Sequence, residues 1–318
     1  MSDTARGPNP ARSLMAPPAR RPTAPPAPPA PPARSLSLPG LMWVASALGL
    51  ALFAWPFLGV GAPTAGAATA AAVGTLVALV VMELATRRLD ARSFALLVSL
   101  SAIDAGARAA LVSGIGGFSP IFLLILCGGY VFGPSYGFLL GATSLLVSAL
   151  VTGGLGPWLP YQLFAVGWVG VAAGWVGQWR RRRAVQRRGR QRPSAEAWPS
   201  ALDVGWLAAV GVVSGYAFGV IMDLWDWTFF SASPGLGFKP GMGLGVLAAH
   251  FGRFYLATSA VYDSFRAVGN AVLVVALGFP ILVALARLRS GLTFEVISLE
   301  QALPELDAGR QAHPSRPG

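Results

Sequence analysis

The sequence predicts an all-α, polytopic membrane protein, and three observations support this fold class. Of the 318 residues, 54% are hydrophobic and only 12% are charged, whereas a soluble domain carries about 25% charged residues. Apolar runs such as residues 41–60 and 67–84 are long enough to cross about 30 Å of hydrocarbon as helices. The arginines behind the net charge of +11 cluster beside such runs, which is typical of membrane orientation rather than of a nucleic-acid-binding face.

The chain divides into four predicted segments. Residues 1–38 form a Pro/Ala-rich leader, which we expect to be disordered or polyproline-like and not a secretory signal peptide. Residues 39–92 hold two transmembrane helices, residues 93–290 hold six more, and residues 291–318 form a polar tail. The eight predicted helices cover roughly residues 41–60, 66–86, 94–113, 118–134, 136–153, 159–178, 204–222 and 261–286.

Helix-breaking residues separate several of these spans. Ser119 followed by Pro120 is typical of an N-cap and a first helical residue, and begins the fourth span. Gly133-Pro134 makes a tight turn before the fifth span. The segment of residues 245–260 is helix-like but short, and we leave open whether it is a separate outer cap or an extension of the last span.

Arginine placement predicts the orientation of the spans. An even number of spans separates each of the arginine clusters, so all of them fall on one side, and that side is cytoplasmic. Both termini are then cytoplasmic, and the protein is a multi-pass protein of the cell membrane. The clusters are Arg12, Arg20, Arg21 and Arg34; Arg87, Arg88 and Arg92; Arg180, Arg181, Arg182, Arg183, Arg187, Arg188, Arg190 and Arg192; and Arg287 and Arg289.

Ionisable side chains inside two distant spans predict a pocket open to the outside. Asp104 and Arg108 share a face of the third span, and Asp263, Arg266 and Asn270 share a face of the eighth. An unpaired charge in mid-membrane costs at least about 2.5–3.5 kcal/mol, so such groups face the bundle interior. In this orientation both groups lie at a similar depth in the membrane, towards its outer side. The alternatives are a structural pair in the third span and an interfacial, snorkelling pair in the eighth.

The connector GPWLPYQ at residues 156–162 lies outside in this topology. Trp158, Tyr161 and Gln162 would contact a ligand from the mouth of the pocket. The alternatives are ordinary aromatic anchors and a glutamine that bonds a neighbouring helix. Asp223 and Asp226 fall in another outer connector, where we expect solvated loop charges.

Small residues recur every four positions in the third span, as Ala102, Gly106 and Ala110. Such a face lets helices approach closely, either within the bundle or against a second membrane protein. The lone Cys127 allows neither an internal disulfide nor a cysteine-based metal site. The sequence carries no Walker-type GxxxxGK[ST] motif and no HExxH motif. We therefore expect no cofactor or metal on this chain, and any ATP would be used by another chain.

Several motifs together carry a family resemblance. They are FSP at 118–120, GGYVFGP at 128–134 followed by GF at 137–138 and Gly141, GPWLPYQ at 156–162, FYLATS at 254–259, and DSFRAVGNA at 263–271. With these motifs, residues 93–289 resemble the membrane-embedded substrate-specific (S) component of energy-coupling factor (ECF) vitamin transporters. The GPW-type sequences look most like the cobalamin-type branch.

The resemblance implies a binding subunit and not an enzyme. Spans three to eight would form the family's six-helix unit with both termini cytoplasmic, preceded here by two extra helices. Such a subunit binds a vitamin or related micronutrient from outside and works with a transmembrane scaffold (T) protein and two ATPase subunits, which use the ATP. The family's scaffold-docking AxxxA face would correspond to Ala102, Gly106 and Ala110, with glycine at the middle position as a departure.

Two other function classes remain open on the residues alone. A membrane enzyme acting on a lipid or prenyl substrate would use Asp104, Asp223, Asp226 or Asp263 as acid, base or metal ligand, and it requires these carboxylates to converge. A stand-alone secondary carrier would show inverted repeats with discontinuous helices, which the sequence does not display.

Overall fold

The computed structural model describes residues 39–58, 61–86, 89–110, 120–188 and 199–292. The leader, Ser119 and the tail after residue 292 lie outside these residues. The N-cap position of α4 is held by Pro120, which was predicted to be its first helical residue. The regular elements of the described ranges are helical. They are α1 (Pro39–Ala54), α2 (Ala65–Ala85), α3 (Ala91–Ala110), α4 (Ile121–Phe132), α5 (Pro134–Thr152), α6 (Leu159–Arg188), α7 (Ala201–Asp226), a 3₁₀ turn (Trp227–Phe230), α8 (Leu244–Thr258) and α9 (Ala260–Leu292).

Six of these helices, α2, α3, α5, α6, α7 and α9, are long and apolar enough to cross a membrane. The all-helical fold class is thus confirmed for the described residues, and six helices of this length and composition fit a multi-pass membrane protein. The predicted first and fourth spans are shorter helices of 16 and 12 residues. Proline explains the end of α1, because Trp55 precedes Pro56 and the residue before a proline is disfavoured in the α region.

The predicted end of the seventh span, at residue 222, was wrong. Asp223 and Asp226 belong to the last turn of α7 and not to a connector, and Asp223 is buried. No glycine or proline interrupts the chain between residues 220 and 233, so the helix continues beyond the predicted end at residue 222. Residues 244–258 form the separate helix α8, and one residue, Ser259, lies between it and α9.

The helix α4 lies at the centre of the bundle. It packs against α3, α5, α6, α7 and α9, and ten of its twelve residues are buried. The helices α1 and α2 pack on α6, and α2 also contacts α5. The two N-terminal helices therefore pack onto the same bundle as the helices that follow them.

Glycines bring α4, α5 and α6 into backbone contact. A Cβ placed on Gly170 of α6 would overlap the carbonyl oxygen of Gly137 on α5, and one placed on Gly129 of α4 would overlap that of Gly170. A Cβ on Gly141 would lie 2.6 Å from the carbonyl oxygen of Val166. The recurrence of Gly137 and Gly141 in the sequence thus serves packing within the bundle.

A polar network joins four helices at the end of the bundle that carries the arginines. The Tyr130 hydroxyl donates to Asp203 Oδ1 at 2.7 Å, and Arg180 Nε donates to the same oxygen at 3.0 Å. Arg181 and Arg289 both donate to the carbonyl of Val131 at the end of α4. These arginines, which the sequence marks as orientation signals, therefore also cap α4 and anchor α6 and α9 to it.

Candidate ligand-binding site

The arginines of α3 and α9 both lie level with the N-terminal end of α4. Arg108 donates to Ser148 of α5 at 3.3 Å. The helices α4 and α5 are antiparallel, with Gly129 against Gly137, and Ser148 lies about 16 Å along α5 from that contact at 1.5 Å per residue. Ser148 therefore lies level with the first residues of α4 or slightly beyond them.

Arg266 reaches the same level from the opposite side. Its guanidinium lies 5.0 Å from the centre of the Phe218 ring. Phe218 in turn packs edge-on against Phe122, the second residue of α4, with 5.4 Å between ring centres. The two arginines thus approach the N-terminal end of the central helix from two different helix interfaces.

The first of these interfaces, between α3 and α5, buries a carboxyl group without a partner. Asp104 and Ser144 face each other and are fully buried. Within the described ranges, neither carboxylate oxygen of Asp104 and not the hydroxyl of Ser144 makes a hydrogen bond. One turn away, the Ser101 and Thr143 hydroxyls lie 2.7 Å apart. A polar seam therefore runs along this interface, and its central groups are free to accept hydrogen bonds.

The second interface, between α7 and α9, holds the other predicted polar group. Asp263 and Arg266 form an ion pair, and Arg266 also donates to the carbonyl of Gly215 at 3.3 Å. Asn270 donates to the carbonyl of Gly211 at 3.1 Å. A Cβ on Gly219 would overlap the Asp263 carboxylate. The glycines of α7 therefore provide both the room and the carbonyl acceptors for the polar face of α9.

Sequence reasoning missed this partner face, although a signal was present. Gly211, Gly215 and Gly219 recur every four residues, and Asp223 continues the same face. A repeat of this kind marks a close helix contact in a membrane. On this basis, the polar face of α9 could have been predicted to pack against α7.

Asp223 and two residues near the α8–α9 junction complete the second group. The Ser259 hydroxyl donates to Asp223 Oδ1 at 2.8 Å. The Tyr255 hydroxyl of α8 comes near Asp263. Burial, together with the negative charge of Asp263, raises the pKa of Tyr255 to about 12, so this hydroxyl keeps its proton at physiological pH and remains a hydrogen-bond donor.

The connector residues Trp158, Tyr161 and Gln162 have different surroundings from one another. Tyr161 is buried, and its ring centre lies 5.0 Å from that of Phe53 in α1 and 5.3 Å from that of Trp225 in α7. Gln162 is half-buried. Trp158 is 40% exposed and folds over Gly156. Of the three, Trp158 has the most exposed side chain.

The eight predicted ligand-binding residues do not form one cluster. Asp104 and Arg108 face α5, whereas Asp263, Arg266 and Asn270 face α7, with α4 packed between the two groups. Asp104 is therefore separated from Asp263, whereas Asp223 of α7 lies close enough to Asp263 for the two charges to interact. In the described part of the chain, no three His, Cys, Asp or Glu side chains come together as a possible metal site.

The small-residue face of α3 points away from the bundle. Ala102, Gly106 and Ala110 are all exposed, and a Cβ on Gly106 would meet no atom within 4 Å. Ser101 and Ala105, on the other side of the helix, are buried. The residues predicted to dock a partner are therefore not used for packing within the chain.

The chain matches no protein-family model, no curated protein and no solved structure. The fold and the site by themselves define a class of protein, namely an all-helical multi-pass membrane protein with ionisable groups buried between its helices. Two such groups meet the N-terminal end of the same central helix, beside a cluster of aromatic rings.

Proposed function

We propose that this chain is the substrate-binding subunit of an ECF-type importer, which captures a vitamin or related micronutrient from outside. One observation carries the proposal. Arg108 and Arg266, from helices far apart in sequence, flank the N-terminal end of α4, and the carboxyl group of Asp104, near Arg108 and Ser144, is fully buried. Burying such groups in a membrane is costly, and a polar ligand would offset that cost.

The site residues would contact the ligand at two different depths. Trp158, Tyr161 and Gln162 would contact the ligand at the mouth. Below them, Arg108 and Asp104 on one side and Asp263, Arg266 and Asn270 on the other would shape the pocket. The resemblance to the cobalamin-type branch makes a corrinoid the first ligand to test.

The remaining parts of an importer would come from other chains. A scaffold (T) protein would dock on the exposed face of Ala102, Gly106 and Ala110, where small side chains permit close helix approach. Two ATPase subunits would supply ATP hydrolysis. This arrangement requires the protein to lie in the cell membrane with both termini in the cytoplasm.

Ligand binding by the isolated subunit tests the proposal directly. We expect the purified chain to retain or bind a micronutrient without ATP, as measured by mass spectrometry of the denatured protein and by titration with a vitamin panel. Arg108→Gln should weaken that binding by about tenfold or more, since a hydrogen bond to a charged group contributes about 1.5–3 kcal/mol. A folded protein that binds nothing in a broad panel would end the proposal.

Docking of the scaffold protein can be tested with two matched glycine variants. Gly106→Leu places a large side chain on the proposed docking face. Gly74→Leu places the same side chain on the exposed face of α2, where a Cβ likewise meets no atom within 4 Å. We expect Gly106→Leu to abolish copurification of the scaffold and ATPase subunits and Gly74→Leu to preserve it. Equal effects of the two variants would show that α3 is not the docking helix.

A further inference from the structure

Four tryptophans of the described helices lie near the end of the bundle that carries the arginines. Trp43 of α1 packs against Trp175 of α6, with 5.8 Å between the ring centres. Trp179 of α6 packs edge-on against Trp206 of α7, with 5.2 Å between the ring centres. Trp43, Trp175 and Trp206 are exposed. Exposed tryptophans beside apolar spans are typical of the level where the hydrocarbon of a bilayer meets its headgroups.

The arginines that follow Trp179 have different surroundings from one another. Arg180 pairs with Asp203 of α7, and Arg181 donates to two carbonyl groups of α4. Arg183 is exposed, and its guanidinium lies over the Trp179 ring, 4.2 Å from the ring centre. The first two arginines therefore hold helices together, whereas Arg183 lies at the surface beside the tryptophan pair of α6 and α7.

The contact with Trp179 restrains Arg183 and leaves it able to bind an anion. The face of the indole attracts the cation, and this contact does not occupy all five N–H donors of the guanidinium. Within the described part of the chain, Arg183 pairs with no carboxylate. A restrained guanidinium of this kind can donate two parallel hydrogen bonds to a phosphate group.

Charge and the neighbouring helix surface indicate which phosphate compound fits. Six arginines and no acidic residue follow Trp179 in α6, and Asp203 pairs with only one of them. This excess of positive charge favours an anionic headgroup over a zwitterionic one, whose own cation it would repel. Ala209 and Val213 continue the exposed face of α7 from Trp206, away from the arginines. Acyl chains can cover that apolar face, whereas a soluble phosphate compound cannot.

We propose that Arg183, Trp179 and Trp206 bind the headgroup of an anionic phospholipid between α6 and α7. Arg183 donates to the phosphate, the two indoles border the glycerol region, and the acyl chains lie along the exposed face of α7. The bound lipid joins the same two helices as the ion pair between Arg180 and Asp203. The inference requires that these helices lie in a membrane, but it does not depend on the proposed importer function.

Lipid titration of the purified full-length chain in detergent tests the site. Native mass spectrometry compares dioleoyl phosphatidylglycerol with dioleoyl phosphatidylcholine, which has the same acyl chains and phosphate but adds a cation. We expect phosphatidylglycerol to bind about tenfold more tightly, since each nearby arginine contributes about 1 kcal/mol toward an anionic lipid. Millimolar glycerol phosphate should not displace it. Equal affinities would overturn the proposal, and displacement by glycerol phosphate would indicate a site for a soluble phosphate compound instead.

Two pairs of matched variants locate the lipid. Arg183→Gln should weaken phosphatidylglycerol binding by about tenfold, the effect of losing a hydrogen bond to a charged group. Arg182→Gln removes the same charge from an exposed residue on the side of α6 opposite Arg180, and it should weaken binding much less. Equal losses in the two variants would show that only overall charge matters and would overturn the site.

The second pair keeps every arginine. Trp206→Leu should also weaken phosphatidylglycerol binding, whereas Trp43→Leu, at a similarly exposed tryptophan on α1, should preserve it. Because Trp206 is exposed, this variant also serves as the second probe if Arg183→Gln does not fold. Unchanged binding in Trp206→Leu would place the lipid away from the contact between α6 and α7 and would contradict the proposal.

Discussion

Single glycines set the spacing of the central helices. Gly170 of α6 faces Gly137 of α5 so closely that neither could carry a Cβ without overlap. Gly106 of α3 lies in open space instead. Both are helical glycines, yet only the first is required by packing. The difference follows from the neighbouring helix and not from the local sequence.

Gly170→Ala should therefore destabilise the protein, and Gly106→Ala should not. Forcing a methyl group into a packed interior costs typically about 1–3 kcal/mol, whereas alanine is the better helix former at an exposed site. Unfolding by denaturant in mild detergent, followed by circular dichroism, measures both variants. Equal stability of the two would contradict the close contact between α5 and α6.

Asp203 is the second residue with a large predicted effect. Its carboxylate accepts hydrogen bonds from Tyr130, Arg180 and Ser200 and is almost fully buried. Asp203→Ala would leave these donors unpaired and should cost about 3 kcal/mol. The exposed Asp226→Ala should stay within about 0.5 kcal/mol of the original protein. The same denaturant titration compares them, and a small effect at Asp203 would show that the network contributes little.

At the scale of elements, α8 has a small core of its own. Trp227, Phe238 and Phe254 are buried together, separate from the main core. The Trp227 indole donates to the carbonyl of Leu236, and His250 Nδ1 lies 3.0 Å from the Gly237 carbonyl oxygen. Among the described helices, α8 packs mainly against α9, and this small cluster holds it from the other side. We therefore expect α8 to open as a unit.

Trp227→Ala should loosen α8 and leave the bundle intact. Hydrogen–deuterium exchange should rise across residues 231–258 but not in α4 or α5, since removing a buried tryptophan costs about 3–5 kcal/mol locally. Trp158→Ala, at an exposed tryptophan, provides the control and should leave the exchange of α8 unchanged. Faster exchange throughout the bundle in Trp227→Ala would show that α8 is not a separate unit.

At the scale of the whole molecule, the orientation in the membrane stays a prediction from arginine placement. Single cysteines in a Cys127→Ala background can test it. Ala232→Cys, in the loop after α7, should react with a membrane-impermeant maleimide on intact cells. Arg182→Cys, at the opposite end of the bundle, should react only after permeabilisation, and the reverse pattern would invert the proposed topology. Both positions are exposed.

The sequence predicted the helices better than their contacts. It located α2 and α5 closely, because apolar runs of sufficient length must form helices in a membrane, but it ended the sixth span near residue 178, whereas α6 continues through the arginines to Arg188. It placed the end of α7 too early, since nothing in residues 223–226 was recognised as belonging to a buried face. The predicted polar residues of α3 and α9 do lie between helices, but they face different neighbours.

The sequence by itself determined the all-helical membrane architecture and the residues whose polarity conflicts with lipid. Hydrophobic length and charge are properties of single segments, and each segment can be interpreted alone. Only the tertiary structure decided that Asp104 faces Ser144, that Asp263 lies against Gly219, and that Asp223 joins Asp263. These pairings depend on which helix faces meet, and close backbone contacts between residues far apart in the chain decide that.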